Sequence, residues 1–407
     1  MNTWKCLGRQ SLYLRDGIVF YHWGDGYLAD YLGSTVAYLS KTEYSFICDI
    51  VSGETNEEIP VDVLEKLIKT GIISKKKNAS GILAVYGKEG YYYPKELAVE
   101  VTNTCNYRCP FCYKNATNNG HFITNDLIDR ILEFADGNIK SILLTGGEPT
   151  LHPGIADIIN RFSKTAEVNL ITNGSKLFEI NHNYLEKLSF VQFSLYGLDD
   201  KNYKQITGCT SGFSRLLKSV DALKKTRVPY GGSVTICEYN ADDLEKYAEV
   251  AKKLNMSRLK IGIADSFGRA ADKTYSVGVD LEKRERIYSD LLRLKREFQN
   301  SLTIEVNNIE LPDNHYKEEI VKKVVRGTFS CGCGSEYLVV NQNGKVRPCQ
   351  MLPEEYFSYE SLDDIAEHLA GDFHVCRLND AFANYCRWSK GEKPCEALRN
   401  FVLGGNQ

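Results

Sequence analysis

The stretch "NTCNYRCPFCYKN", Asn103–Asn115, carries Cys105, Cys109 and Cys112 at C-x3-C-x2-C spacing. A disulfide takes two thiols and a structural zinc site takes four, so three on one tight loop suit neither by themselves. Thiolates so spaced can converge on an iron–sulfur cluster, and a [4Fe–4S] cubane held by three of them leaves one iron open to a further ligand. The competing reading is a zinc knot that borrows a distant fourth ligand. A second group, Cys331, Cys333, Cys349, Cys376, Cys386 and Cys395, lies toward the other end of the chain. The remaining thiols are scattered. Cys6, Cys48 and Cys237 read as structural. Cys209, in "ITGCTSGF" just ahead of a helical pattern, could be reactive but reads better as a loop filler.

Composition narrows the compartment and the partners. The chain has 407 residues, 43% of them hydrophobic, enough for two or three domains with sizeable cores. Fifty Lys and Arg against 53 Asp and Glu leave a net charge of −3. No global charge therefore draws the chain to nucleic acid or to an anionic membrane, and no basic patch is interleaved with aromatics. No apolar run reaches signal-peptide or membrane-span length, so the expectation is a soluble, cytoplasmic protein. In that reducing compartment, 13 cysteines point to metal ligands or catalytic thiols rather than bridges.

The elements that must hold these thiols fall into regions. Up to residue 93, "SLYLRDGIVFYHW" reads as a hairpin turning at Asp16-Gly17, "KTEYSFICDIVSG" as a helix stopped by Gly53, and "PVDVLEKLIKTGII" as a helix opened by Pro60 and stopped by Gly71. With "GILAVYG" as a returning strand, these make a small winged-helix-like module. From 94 to 275, "LAVEVT", "SILLTG", "VNLITNG", "FVQFSLYG", "GGSVTIC" and "RLKIGIA" alternate with helical patterns. This βα rhythm predicts an α/β fold with a parallel sheet, and six units predict an open, partial TIM barrel. Ligands bind at the carboxyl ends of such strands, where the three-cysteine loop lies. A helical bridge is expected over 276–325 and a cysteine-rich domain over 326–407.

At this point the motifs resemble a known family. "CNYRCPFC" is similar to the C-x3-C-x-aromatic-C signature of radical S-adenosylmethionine (SAM) enzymes, with Phe111 at the aromatic position. "TGGEPTLHP" matches the family's GGEP motif through Gly146, Gly147, Glu148 and Pro149; "ITNG" places Asn173 after the third strand, "SLYG" places Ser194 after the fourth, and "GRA", Gly268–Ala270, follows the sixth. The resemblance implies that Cys105, Cys109 and Cys112 hold a [4Fe–4S] cluster. It also implies that Phe111, Gly146, Gly147, Glu148, Asn173 and Ser194 bind SAM, with Glu148 accepting from the methionine ammonium and Phe111 beside adenine. It further implies that the reduced cluster splits SAM to a 5′-deoxyadenosyl radical, fed by a low-potential donor of flavodoxin or ferredoxin type.

"CGCGSEYLVVNQNGKVRPC" resembles the opening of a SPASM or twitch domain, which implies one or two auxiliary [4Fe–4S] clusters. Their candidate ligands are Cys331 and Cys349 with Cys376, Cys386 and Cys395; Cys333 is an extra thiol. The later cysteines are more widely spread than in a full SPASM run, and some could instead be buried apolar residues. The front module resembles the precursor-recognition element of maturases of ribosomally made peptides, in which a leader peptide adds as a strand. The whole then resembles a peptide-crosslinking maturase, with a Cys thioether favoured over a carbon–carbon bond. Three rivals stand beside it: a sulfatase-maturing enzyme, a small-molecule or cofactor-biosynthesis radical SAM enzyme, and a non-catalytic iron–sulfur carrier.

Overall fold

The computed structural model describes residues 12–32, 34–53, 59–74, 83–91, 93–264, 268–272, 277–307, 337–347 and 350. They fall into two compact units, one taking in the described residues up to Lys95 together with Gly137–Lys140, the other built from Glu96 onward.

The first unit contains strands β1 (Tyr13–Leu14), β2 (Ile18–Trp23), β3 (Gly26–Tyr31) and β4 (Ser34–Ser40), helices α1 (Lys41–Ser52) and α2 (Val61–Lys69), and strands β5 (Ile73–Ser74) and β6 (Ala84–Tyr86). The order β4-β3-β2-β6 forms one sheet and β1-β5 a second. Both helices begin and end as their sequences predict. Ser40 caps α1 in a reciprocal box with Glu43, Gly53 closes it in the left-handed region, and Pro60 opens α2. Phe20, Leu39, Ile47 and Leu67, each wholly buried, meet in the core.

The expected Asp16-Gly17 hairpin is not a hairpin. The chain does turn there, with Gly17 at φ +81°, but β1 pairs with β5 while β2 pairs with β3 and β6. A turn signal specifies a reversal and not a partner. Leu14 and Ile73 enter the core side by side, and that burial decides the pairing of so short a strand. Hairpins in this unit join β2 to β3, through Gly24-Asp25, and β3 to β4.

The second unit holds all six expected strands: β7 (Glu96–Thr102), β8 (Ser141–Gly146), β9 (Glu167–Thr172), β10 (Phe190–Ser194), β11 (Tyr230–Ile236) and β12 (Arg258–Ile263). Between them run α3 (Asn125–Ala135), α4 (Ile155–Phe162), α5 (His182–Leu185), α6 (Asp200–Thr207), α7 (Gly212–Leu223) and α8 (Leu244–Lys253). Leu97, Val99 and Val101 of β7 are sealed from solvent, as are Ile128 and Ile131 of α3 and Ile159 of α4, so apolar rows on strand and helix supply the burial that holds the layers.

The helix expected as a bridge is α9 (Leu281–Glu297), and it leads into β13 (Thr303–Asn307), parallel to β12 in the same sheet. The "YLVV" hairpin is present as β14 (Tyr337–Val340) and β15 (Val346–Arg347), with β14 parallel to β7. Among the described residues the sheet runs β13-β12-β11-β10-β9-β8-β7-β14-β15, open at both edges, in keeping with a partial barrel. No described helix is long and apolar enough to cross a membrane.

Candidate functional site

The loop after β7 is pinned along its length. The amide of Cys105 donates to Thr117 O at 2.7 Å and that of Arg108 to Thr207 O at 2.9 Å. Within the loop, Cys112 N donates to Cys109 O and Asn115 N to Cys112 O, at 3.2 and 3.1 Å. The turn after β8 packs directly on it: Gly147 N reaches Thr102 O at 2.7 Å and Glu148 N reaches Thr104 O at 2.8 Å. A Cβ on Gly147 would lie 2.6 Å from the Thr104 carbonyl carbon, and Gly146 sits at φ +139°. The glycine pair is thus what allows two strand-end loops to touch.

Glu148 is wholly buried. Its Oε1 accepts from Thr150 N (3.0 Å), Thr150 Oγ1 (2.5 Å) and Thr172 Oγ1 (2.6 Å), and its Oε2 accepts from Asn173 N at 2.6 Å. The carboxylate therefore ties the β8 turn to the β9 turn, a task the sequence reading did not assign it. A carboxylate offers about four acceptor positions. Oε1 is filled, so an ammonium has only Oε2 left to address. Burial raises the pKa of this carboxyl, against the hydrogen bonds from Thr150, Thr172 and Asn173 that lower it.

Asn173 turns its amide toward the thiols: Nδ2 lies 2.9 Å from Asn106 Oδ1 and 3.9 Å from Cys105 Sγ. Tyr107 N also donates to Cys105 Sγ, at 3.4 Å. Phe111 lies 5.8 Å, ring to ring, from Tyr196, which follows Ser194 at the end of β10. Cys105, Cys109, Phe111, Cys112, Gly146, Gly147, Glu148, Asn173 and Ser194 all line one cleft. Strands β7 to β10 thus bring together every predicted site residue that falls among the described ones. Cys331, Cys333, Cys349, Cys376, Cys386 and Cys395 lie outside the described residues. Cys237 is buried, and Cys48 and Cys209 are partly so.

None of the three loop cysteines is in a disulfide. Burial, with the Glu148 charge second, pushes the Cys105 thiol up to about 12, and burial also raises the Cys109 thiol well above its ordinary value, with Cys105 and Cys112 themselves adding to the rise. The desolvated Cys105 and Cys109 sulfurs become thiolates only beside a strong positive charge, which a metal cluster supplies. The donor set therefore fits iron. Sequence reasoning passed over two residues here. Tyr196, which lines the same cleft beside Phe111, hides in "SLYG". Arg269, buried against the cysteine loop, hides in "GRA". Neither residue type signals a site until the fold places it.

A parallel α/β sheet with a three-thiol loop after its first strand and a Gly-Gly-Glu turn after its second defines a class. Residues 99–251 match the radical SAM superfamily, so the chain carries a radical SAM domain. The sporulation killing factor maturation protein SkfB of Bacillus subtilis is 24% identical over 327 residues, covering 78% of this chain and 74% of that protein. A probable GTP 3′,8-cyclase of Sulfolobus acidocaldarius is 25% identical over 273 residues, covering 65% of this chain and 82% of the relative. Among solved structures, Streptococcus suis SuiB bound to its precursor peptide SuiA superposes with a TM-score of 0.63 at 14% identity, covering 89% of each chain. At that identity the likeness is one of fold.

Proposed function

We propose that this protein is a radical SAM peptide maturase that installs an oxidative crosslink, a Cys thioether by preference, in a ribosomally made precursor peptide. The observation that carries the reading is the convergence of nine predicted residues from four strand ends on one cleft. When bound, the cluster and SAM supply a 5′-deoxyadenosyl radical able to take a hydrogen atom from substrate. Cys105, Cys109 and Cys112 hold the iron, and Asn173 and Tyr107 N–H groups face the Cys105 sulfur, where hydrogen bonds tune a cluster. The Gly146–Gly147 turn and Oε2 of Glu148 receive the methionine end of SAM; Phe111 and Ser194 border the adenosyl end. Cys331 and Cys349, with two of Cys376, Cys386 and Cys395, hold at least one auxiliary cluster, with Cys333 in reserve. A flavodoxin- or ferredoxin-type donor provides electrons, and the cytoplasm keeps the thiols reduced.

The peptide part of the reading draws support from the similarity to SkfB, a maturation protein, and to SuiB bound to its precursor peptide, and from the first unit. In that unit β4 has a partner strand on one side only among the described residues. An added leader strand would compete there with Lys66, whose Nζ holds Tyr38 O at 2.9 Å. The match to GTP 3′,8-cyclases favours a second reading, a small-molecule substrate. The test is anaerobic turnover of reconstituted protein with SAM, a strong reductant and any short Cys-containing peptide found encoded beside its gene, followed by mass spectrometry. Paired-hydrogen loss with thiols closed to alkylation supports the thioether, and the same loss with thiols free points to a carbon–carbon bond. Deoxyadenosine without any change in the peptide refutes the peptide reading. No deoxyadenosine from a reducible cluster refutes the enzyme.

A further inference from the structure

After β12 the chain returns to the cysteine loop at a 3-10 turn, Gly268–Ala271. Gly268 lies at φ +56°, and a Cβ there would run into the carbonyl oxygens of Cys112 and Tyr113. The next residue grips the same loop three times. Arg269 N donates to Cys112 O at 2.9 Å. Its guanidinium, 3% exposed, donates through one terminal nitrogen to Cys109 O and through the other to Ala116 O. One residue thus collects three carbonyls along the segment that carries the second and third thiols.

The charge itself is unbalanced. Among the described residues Arg269 forms no ion pair, and its Nε has no hydrogen-bond partner. Two carbonyl dipoles satisfy donors without neutralising a buried cation, which is unfavourable when left without a counter-charge. An anionic assembly beside it would repay that cost. A [4Fe–4S] cube with a formal charge near +2 and three thiolates is such an assembly, and it gains a further negative charge on reduction.

We propose that Arg269 is the positioning residue of the three-cysteine loop and the fixed counter-charge of the cluster held there. This rests on the reading that the loop binds iron. The fork sets the spacing of the Cys109 and Cys112 backbone, and the charge favours the reduced over the oxidised cluster. Fork and charge separate by substitution. Arg269→Lys keeps the charge but cannot span two carbonyls, whereas Arg269→Gln loses the charge.

The experiment has two readouts. Hydrogen–deuterium exchange on the metal-free protein follows peptides covering 105–117, where both variants are expected to exchange at least tenfold faster than wild type while core strands stay protected. Redox titration of the reconstituted protein, monitored by electron paramagnetic resonance, follows the reduced fraction. Arg269→Gln is expected to lower that fraction at least tenfold at a fixed poise, about 59 mV for a one-electron couple. Arg269→Lys is expected to stay within about threefold. Unchanged loop exchange overturns the clamp, and an unchanged potential in Arg269→Gln overturns the counter-charge. Wild-type protein that takes up no iron refutes the functional reading, while the exchange readout still decides the clamp. If Arg269→Gln fails to fold, Arg269→Ala with added guanidinium ion takes its place, and rescue of loop protection is the expected result.

Discussion

Replacing Glu148 by Gln removes one charge and alters almost no volume, so it isolates the carboxylate tie. A Gln amide has one acceptor end and one donor end. Both carboxylate oxygens accept from backbone N–H groups, Oε1 from Thr150 and Oε2 from Asn173. The Thr150 and Thr172 hydroxyls could rotate to accept instead, but a peptide N–H cannot. Whichever way the amide is flipped, its NH2 faces a donor, and one charge-assisted bond worth about 1.5–3 kcal/mol is lost. Relief from burying a charge, the same effect that raises the pKa of this carboxyl, returns part of it. A net local cost of about 2 kcal/mol corresponds to a roughly thirtyfold larger open population at the β8 and β9 turns. Exchange mass spectrometry of the metal-free protein, on peptides spanning 147–152 and 170–176, measures this directly. Exchange there that is unchanged or slower would mean that charge burial outweighs the four hydrogen bonds, and the account of Glu148 as a tie would be wrong.

Other outcomes follow from the same geometry. With Cys105 raised from 9.0 to about 12, its thiolate fraction in metal-free protein at pH 8 is about a thousandfold below that of an ordinary thiol. The stronger nucleophilicity of a high-pKa thiolate recovers part of this, so alkylation should run roughly fiftyfold slower and accelerate only as pH climbs toward 12. The stability tied to that neutral thiol is present below pH 9 and is lost as pH rises through the folded value; mass mapping of iodoacetamide adducts against pH checks the reactivity. Gly147→Ala forces a Cβ onto the Thr104 carbonyl. It should reduce iron uptake severalfold while far-ultraviolet circular dichroism stays unchanged. In the first unit, Lys95 and Asp30 form a buried pair at 2.7 Å. Lys95→Met should destabilise that unit by about 3–5 kcal/mol in urea unfolding, and Asp30→Leu in the same chain should recover most of the loss.

Local chemistry alone specified much of this protein. The C-x3-C-x2-C loop, the Gly-Gly-Glu turn and the alternation of strand and helix each follow from the preferences of a few neighbouring residues, so their existence and order were legible without coordinates. The stop at Gly53 and the start at Pro60 were legible for the same reason, because each rests on the backbone preference of a single residue. Partnership was not. Leu14 found Ile73 rather than the far side of its own turn, and β13 and β14 joined the sheet from segments with no barrel signature. The tasks of Glu148 and Arg269 were hidden likewise. A carboxylate in a turn and an arginine after a strand are ordinary in sequence, and become a tie and a clamp only when distant strand ends bring donors and carbonyls within 3 Å. Pattern reports what a residue prefers nearby, whereas burial decides which distant groups it must satisfy, and that decision belongs to the tertiary structure.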